Sequence, residues 1–297
     1  MMLATGAMQV PDDTGPLADM PVALSPSMSA EQVLRWIIAD ACRRYDQHLA
    51  QLIETDHPDG PRKTRVALRR LRSTLKGYRP ILKHKATARF DAQARKIFRL
   101  IGHVRDADVA LDLAPDADVA GGIGTLRQQV RARLRSLGAV GFGARLAGMI
   151  NGDTWQRRGK AQAALRCGPS RDFARQALAA AWARCIRHRA HLARLSVEQR
   201  HDLRKDLKTF RYLSEFFGPF WPDDVARPSI HLLKRLQDEL GTLNDFADLR
   251  AKGKIGKPQA ALHRERLALA LATAQTHWHD LRSLQPWWQA ETGQAAA

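Results

Sequence analysis

The chain has 297 residues and a formal net charge of +18, from 48 Lys and Arg against 30 Asp and Glu. Such an excess attracts polyanions in a salt-dependent way, so nucleic acid, polyphosphate and an anionic membrane surface are the partner classes that the charge favours. No apolar run approaches the roughly 20 residues that span a bilayer, which argues against membrane insertion.

The ends of the chain and its cysteines predict a cytoplasmic protein. Residues 1–28 lack both the basic start and the sustained apolar core of a signal peptide, and we expect them to form a flexible tail, as we do residues 292–297. Cys42, Cys167 and Cys185 are far apart, odd in number and outside any metal-binding spacing, so reduced thiols are expected.

Four helices are predicted in the first half. Ser29 is a suitable N-cap for "AEQVLRWIIADACRRYDQHLAQLI", whose apolar residues fall near one face. After "HPDG", a strongly basic helix is expected to about residue 82, followed by a third helix over 86–104. A fourth is expected over 125–137, and its continuation to 150 is left open.

The second half, after "CGPS" at 167–170, repeats this plan. Its predicted helices are "RDFARQALAAAWARCIRHRAHLARLS", "RHDLRKDLKTFRYLSEFFGPFW", a segment over 230–243 and "QAALHRERLALALATAQTHWHDLRSL". Strand-like alternation is absent, which argues against a substantial sheet. The pattern predicts an all-α fold of two four-helix units, residues 29–165 and 166–291.

One constant offset relates the two halves. Arg62 and His201 are separated by 201 − 62 = 139 residues, and the offset holds without a gap through residue 106. It pairs Arg65 with Arg204, Leu68 with Leu207, Arg69 with Lys208, Arg72 with Arg211, Arg95 with Lys234, Gly102 with Gly241 and Asp106 with Asp245. Matching of charge and turn residues at one offset predicts two pseudo-symmetric four-helix bundles.

The basic helix of the first half carries two seams. Its cations recur at spacings of 3 and 4 and therefore share one helix face: Arg62, Arg65, Arg69, Arg72, Lys76, Arg79 and Lys83. Beside them runs an apolar seam of the same period: Leu68, Leu71, Leu75, Tyr78 and Leu82. No carboxylate occurs from residue 62 to 79, whereas a solvated face normally mixes signs. We therefore favour the lining of a groove over a solvated surface.

The corresponding helix of the second half keeps this design over a shorter distance. Its candidate binding residues lie beside an apolar seam and are His201, Arg204, Lys205, Lys208 and Arg211. Glu215 and Gly218 stand where Lys76 and Arg79 stand in the first half, so the cationic face ends sooner.

Phosphate without bases is the ligand that fits these helices best. Guanidinium groups contact phosphate oxygens in a bidentate way. Base reading in DNA would place Asn, Gln or Ser among the cations, and single-stranded nucleic acid would need aromatic stacking platforms. Tyr78 is the aromatic residue of the basic stretch, and it falls on the apolar side. A linear polyphosphate is favoured, with a nucleic-acid-binding or nucleoid-binding protein as the alternative.

Further cations extend the candidate site. Arg95 and Lys234 are matched by the repeat on the third helix of each unit. The other candidates are Arg99, Arg127, Arg131, His263, Arg264 and Arg266. These residues either complete a ring around the anion or are the ordinary surface charge of amphipathic helices.

Several carboxylates raise an enzymatic alternative. Asp106, Asp108, Asp245 and Asp248 could form a paired-carboxylate or metal site, and a phosphohydrolase using Asp106 and Asp245 is the resulting hypothesis. We favour a supporting role, in which Asp near a helix end pairs with an Arg or caps a turn. Matched glycines at 102 and 241 indicate close packing, because neither lies in a Gly-rich run. No catalytic residue, metal or cofactor is expected.

Five segments resemble the CHAD family, the conserved histidine α-helical domain. They are "RKTRVALRRLRSTLKGYRP", "IGHVRDADVALDL", "HDLRKDLKTFRYLSEFF", "LKRLQDELGTLNDFADL" and "WHDLRSLQPWW", in the family's order and within about residues 29–290. The resemblance implies two pseudo-symmetric four-helix bundles around a basic central pore or groove that binds inorganic polyphosphate. Such domains often accompany a CYTH hydrolase domain and are associated with polyphosphate granules. Since no E-x-E-x-K run is present, we expect the stand-alone type.

The family pattern H-x-x-R-x-x-x-[RK]-x-x-R can be placed twice. It falls on His201, Arg204, Lys208 and Arg211, and on Arg62, Arg65, Arg69 and Arg72. Arg62 departs from the family's His; it keeps a positive charge but removes a pH-sensitive group on that side. The resulting hypothesis is a non-enzymatic cytoplasmic protein that binds polyphosphate, with nucleic acid only as a competing polyanion. Association with polyphosphate granules or the nucleoid is left open.

Overall fold

The fold is all-α, as the sequence predicts. The structure, a computed structural model, describes residues 24–113, 117–251 and 263–290, and no strand occurs within these ranges. Their ten α-helices are α1 (Ala30–Glu54), α2 (Asp59–Gly77), α3 (His84–Leu113), α4 (Ala117–Ser136), α5 (Phe142–Asn151), α6 (Lys160–Cys167), α7 (Ser170–Ile186), α8 (Val197–Phe217), α9 (Asp223–Ala251) and α10 (Arg264–Ser283). None of these helices is long and apolar enough to cross a bilayer.

Helix α1 begins where its capping residues predict. The Ser29 side chain accepts a hydrogen bond from the backbone N–H of Gln32, and the Gln32 side chain accepts one from the N–H of Ser29. This reciprocal pair satisfies two donors that a helix start otherwise leaves unpaired. The helix then packs along α2 and against α5, which gives the first half its core.

The apolar seam of α2 is buried, as predicted. Leu68, Leu71 and Tyr78 are at most 1 % exposed, so this face of the helix belongs entirely to the core. Burying a side chain of this size stabilises the fold by about 1.5–3 kcal/mol, and the cationic seam beside it is thereby fixed in orientation. Helix α2 ends at Gly77 rather than near residue 82, because the residue before Pro80 is disfavoured in helical conformation.

Helices α2 and α8 join the two halves at the centre of the molecule. The ring of Tyr78, just after α2, stacks on Phe173 of α7 with 4.4 Å between centroids. Two ion pairs cross the α2–α8 contact, Arg70 with Glu215 at 3.1 Å and Lys76 with Asp206 at 3.3 Å. The later residue of α2 meets the earlier residue of α8, so the two helices run in opposite directions.

Aromatic residues form the core of the second half. Trp182 of α7 contacts both Trp278 of α10 and Trp288, which lies in a short 3-10 turn after α10. Phe210 of α8 contacts Trp182 and Trp288 at 5.3 Å between centroids. The edge-to-face contacts of Trp288 with Trp182 and Phe210 tie the end of the described chain to α7 and α8.

The first half holds more helices than the four predicted. The predicted fourth helix, α4, does not continue to 150 and is followed by a separate helix, α5, because Gly138 and Gly141 adopt φ of 68° and 72°, a left-handed conformation that ends a helix. An additional helix, α6, connects the halves and contains the predicted boundary at 165/166. The division into two units stays a prediction. Of the predicted tails, residues 1–23 and 292–297 lie outside the described residues. Residues 24–28 of the first tail are described: Leu24 is buried, and the Met28 carbonyl accepts a hydrogen bond from the backbone N–H of Ser170 at 2.7 Å.

We expect Gly141→Ala to lower the free energy of unfolding by about 1–2 kcal/mol, because an L side chain is strained at positive φ. Gly148→Ala is the matched control, since Gly148 lies in α5 with no atom within 4 Å of an added Cβ. Urea unfolding of both variants checks this. Equal stabilities for the two would show that the α4–α5 turn does not depend on this conformation.

Candidate functional site

Four cations of α2 and α8 form a central cluster, made of Arg65 and Arg69 from α2 and Arg204 and Lys208 from α8. Lys208 lies within electrostatic reach of Arg69 across the helix contact and of Arg204 on its own helix. Arg65 in turn lies beside Arg69. All four side chains are half-buried. The helix contact therefore brings together positive charges that are 139 residues apart in sequence.

An aromatic ring of α3 orients the α2 side of the central cluster. The Arg65 guanidinium lies over the ring of Phe98 at 4.2 Å from its centroid, and that of Arg69 lies at 5.4 Å. The negative face of the ring offsets part of the repulsion between the two guanidiniums, by about 0.5–2 kcal/mol for each such contact. The ring thus holds both groups on one side of the site.

Lys208 shows how strongly positive this environment is. Burial lowers its pKa, and the charges of Arg69, Arg204 and Arg211 lower it further, to about 5, against a weaker opposing effect of Asp245. Its amine is therefore mostly uncharged at neutral pH. Burial and Arg69 likewise lower the pKa of Arg65, to about 10, a value at which the guanidinium keeps its charge at neutral pH.

Carboxylates neutralise the outer members of the cationic face. Asp91 of α3 accepts from Arg72 at 2.7 Å and also pairs with Arg95. Burial alone would raise the pKa of Asp91, but the two guanidiniums bring it below its usual range.

Carboxylates of α8 pair with further cations of α2 and α8. Lys76 pairs with Asp206, and Arg211 pairs with Glu215 at 3.3 Å. Lys205 is exposed and pairs with Asp202 at 3.0 Å. These ion pairs neutralise the outer cations of the face.

The two leading positions of the repeated pattern make different contacts. His201 donates from Nδ1 to the side-chain oxygen of Asn244 on α9 at 2.6 Å. Arg62 instead pairs with Asp59 on its own helix at 3.0 Å. The residue that corresponds to Asn244 is Arg105, since 244 − 139 = 105, and a guanidinium cannot accept a hydrogen bond. Arg62, which stands where the family has His, therefore pairs with Asp59, whereas His201 contacts Asn244.

The comparison with protein families decides the assignment. A family model described as "CHAD domain" matches residues 37–252. The chain belongs to the CHAD domain family. A solved structure with high similarity is the crystal structure of the CHAD domain from the plant Ricinus communis, with 20% identity over 89% of this chain and 95% of that one, and a TM-score of 0.68. This likeness shows the fold. PptA from Streptomyces chartreusis matches with 15% identity, 86% and 96% coverage and a TM-score of 0.48. No curated protein matches the chain.

Arg127 and Arg131 hold two elements of this CHAD domain together. Arg127 pairs with the buried carboxylate of Asp108 at 2.6 Å and donates to the Asp56 carbonyl at 2.7 Å. Arg131 donates to the Leu52 carbonyl at 3.0 Å and pairs with Asp56. Arg131 therefore satisfies a carbonyl in the last turn of α1, a stabilising role for a cation at that end of a helix, and Arg127 satisfies one in the segment that follows the helix. These contacts favour the supporting role that the sequence suggests for Asp108.

The remaining predicted cations lie toward the surface of the CHAD domain. Lys234 on α9 is half-buried, and His263, at the start of α10, contacts the ring of Phe246 at 5.7 Å between centroids. The exposed ones are Arg79, Arg95, Arg99, Arg264 and Arg266. The part of these cations in a binding site stays a prediction.

Asp106 and Asp245, the two carboxylates that the phosphohydrolase hypothesis uses, are exposed. Asp106 lies near Arg65, and Asp245 lies near Lys208, so the repeat sets one carboxylate beside each side of the central cluster. Within the described residues, no three His, Cys, Asp or Glu side chains form a group that could hold a metal ion. The side chain of Asp248 lies outside the described residues.

Sequence reasoning missed Phe98 and the carboxylates that reach the site from other helices. Phe98 follows Ile97, a member of the apolar stripe of α3, and is therefore an aromatic residue one position outside that stripe. An aromatic residue outside the apolar stripe indicates that the helix makes contacts on a second face. On α3 the guanidiniums of Arg65 and Arg69 lie over that face. For Asp91, Asp206 and Glu215 no signal existed, because a pattern within one helix does not show which helices meet.

We expect Lys208→Met to raise the free energy of unfolding at pH 7 by about 1–3 kcal/mol, because it removes a buried amine. The pKa of Lys208 is about 5 in the folded chain and near its usual 10.5 in the unfolded chain. The unfolded chain therefore binds more protons between these values, and this residue costs more stability as pH falls from about 10 to 5.

Urea unfolding at several pH values from 5 to 10 checks this. The gain of Lys208→Met over wild type should be largest at the acidic end. Lys205→Met, exposed on the same helix, should show no such trend. A gain that does not vary with pH would contradict the environment described for Lys208.

Proposed function

We propose that the chain binds inorganic polyphosphate at the central cluster and does so without catalysis. The observation that carries the proposal is the convergence of Arg65 and Arg69 with Arg204 and Lys208, where burial first and the neighbouring guanidiniums second lower the pKa of Lys208 to about 5. Burying like charges costs free energy, and a bound polyanion recovers that cost by pairing with them. The association of the CHAD family with polyphosphate supports the same ligand.

The chemistry of the cluster favours phosphate groups over bases. Arg supplies three of the four members, and its planar guanidinium matches phosphate oxygens in a bidentate way. The ring described at the cluster, Phe98, already carries the Arg65 guanidinium at 4.2 Å from its centroid, which occupies a face on which a base would stack. A repeating phosphate chain needs only such donors at regular intervals.

Nucleic acid is the second candidate ligand, because the net charge of +18 attracts any phosphate backbone.

The enzymatic alternative predicts metal-dependent release of phosphate that is lost in Asp106→Asn. We expect no release of phosphate from polyphosphate with or without Mg²⁺. We further propose a cytoplasmic location, where polyphosphate granules would be the binding surface.

The proposal is tested by competition between polyphosphate and nucleic acid. Labelled long-chain polyphosphate is bound to the chain and challenged with duplex DNA or RNA at equal phosphate concentration, at two salt concentrations. We expect unlabelled polyphosphate to displace the probe far better than either nucleic acid. Equal displacement by DNA or RNA would overturn the proposal in favour of a general nucleic-acid binder.

In the same assay, Arg65→Ala combined with Arg204→Ala should weaken binding by at least about a hundredfold, since each charge-assisted contact contributes about 1.5–3 kcal/mol. The slope of log affinity against log salt should fall by about 1–2, because fewer counterions are released. Arg264→Ala combined with Arg266→Ala is the matched control, with two exposed cations away from the cluster. A salt slope that is unchanged in the first variant would place binding elsewhere.

We also expect binding to take up a proton at Lys208. The amine is mostly uncharged above pH 5 in the free site, and a phosphate oxygen beside it favours the charged form. Affinity should therefore fall as pH rises above about 5, by at most tenfold per pH unit for one proton. Titration calorimetry in buffers of different ionisation enthalpy measures the uptake. It should be smaller in Lys208→Met and unchanged in Lys205→Met, and equal uptake in all three would assign the proton to another group.

A further inference from the structure

Two helical glycines lie directly behind the arginines of the central cluster. Gly102 of α3 and Gly241 of α9 are both buried. A Cβ added to Gly102 would lie 2.5 Å from Nη1 of Arg65, and one added to Gly241 would lie 3.3 Å from Nη2 of Arg204. Each guanidinium therefore occupies space that any other residue's side chain would fill.

The same arrangement occurs twice, at the offset of the repeat. Arg65 and Arg204 differ by 139, and so do Gly102 and Gly241. Neither glycine has a positive φ. Within the described residues, the glycines with a positive φ are Gly138, Gly141 and Gly159. Glycine in the middle of a helix costs about 1 kcal/mol relative to alanine. Glycine at these two positions therefore matters because it has no side chain, and not because its backbone is more flexible.

The first of the two arrangements is a slot with two walls. Phe98 and Gly102 are four residues apart and so lie on the same face of α3. The Arg65 guanidinium lies over the Phe98 ring and against the bare backbone at Gly102. At the position that corresponds to Phe98 the second half has Gln237, since 98 + 139 = 237. The second slot therefore lacks the aromatic wall.

We propose that Gly102 and Gly241 are positioning residues of the anion site, which dock the Arg65 and Arg204 guanidiniums against α3 and α9 and so aim their N–H groups at the bound phosphates. This inference rests on the proposed function. The slot at Gly102 is the tighter one and contributes more to binding.

Alanine at these positions has opposite effects on folding and binding. The atom that a new Cβ would meet in each case is the far end of a flexible Arg side chain and not backbone. The guanidinium moves aside while the helices stay in place, and the helix gains propensity. Gly102→Ala should therefore fold at least as stably as wild type yet bind polyphosphate about tenfold more weakly, the loss of about one charge-assisted contact. Gly241→Ala should lose about two- to threefold, since its contact is 0.8 Å longer by the difference of the two distances above.

The matched control is Gly124→Ala. Gly124 lies exposed within α4, with nothing within 4 Å of an added Cβ. It should share any gain in stability and bind polyphosphate as wild type does. If Gly102→Ala were destabilised, glycine would serve helix packing alone; if it bound as tightly as Gly124→Ala, it would have no positioning role. Either result overturns the inference.

A double-mutant cycle separates positioning from a general effect on the fold. Arg65→Lys should cost less in the Gly102→Ala background than in wild type, because the guanidinium has already left its slot. Additive losses would contradict the inference. Without ligand, the NMR signals of the Arg65 side chain should lose the ring-current shift of Phe98 in Gly102→Ala, and an unchanged shift would also overturn it. Wild-type chain that binds no polyphosphate would instead overturn the proposed function, and with it the positioning role.

Discussion

Repulsion between the cations that α2 and α8 bring together is the constraint on which the centre of this molecule depends. The α2–α8 contact joins the two halves, and it places Arg69 beside Lys208. The protein offsets the repulsion in three ways. Outer cations pair with carboxylates such as Asp91 and Glu215, the guanidiniums of α2 lie over Phe98, and Lys208 gives up its proton. What is left is a small, partly dehydrated positive region whose remaining cost a bound anion can remove.

The fold class could be predicted from the sequence because helical period and capping are local properties. The buried seam at Leu68 and Leu71 and the cap at Ser29 were predictable for the same reason. The separation of α4 from α5 was not, because a glycine such as Gly138 is tolerated within helices and only the surrounding structure decides whether its φ becomes positive. The partners of the cations were also beyond prediction, since Asp206 reaches Lys76 from another helix.

Sequence correspondence locates residues better than it assigns their contacts. The repeat pairs Arg65 with Arg204, and each of these guanidiniums lies against a glycine that the same offset pairs. The same repeat pairs Arg62 with His201, yet one contacts Asp59 and the other Asn244. Two positions differ between the halves here: Arg62 corresponds to His201, and Arg105 corresponds to the acceptor Asn244. Two residues that correspond in the repeat can therefore make different hydrogen bonds, because those bonds depend on the neighbouring residues.

The two ion pairs across the α2–α8 contact have a consequence for how the halves recognise each other. By the offset of 139, Asp206 corresponds to Ala67 and Glu215 to Lys76. Two copies of the first half, joined through the same contact, would set Lys76 against Ala67 and Arg70 against Lys76. The first pair would vanish and the second would become repulsive. Divergence between the repeats has thus made each half a selective partner for the other within one chain, and has turned a potentially self-associating surface into an internal heterotypic interface.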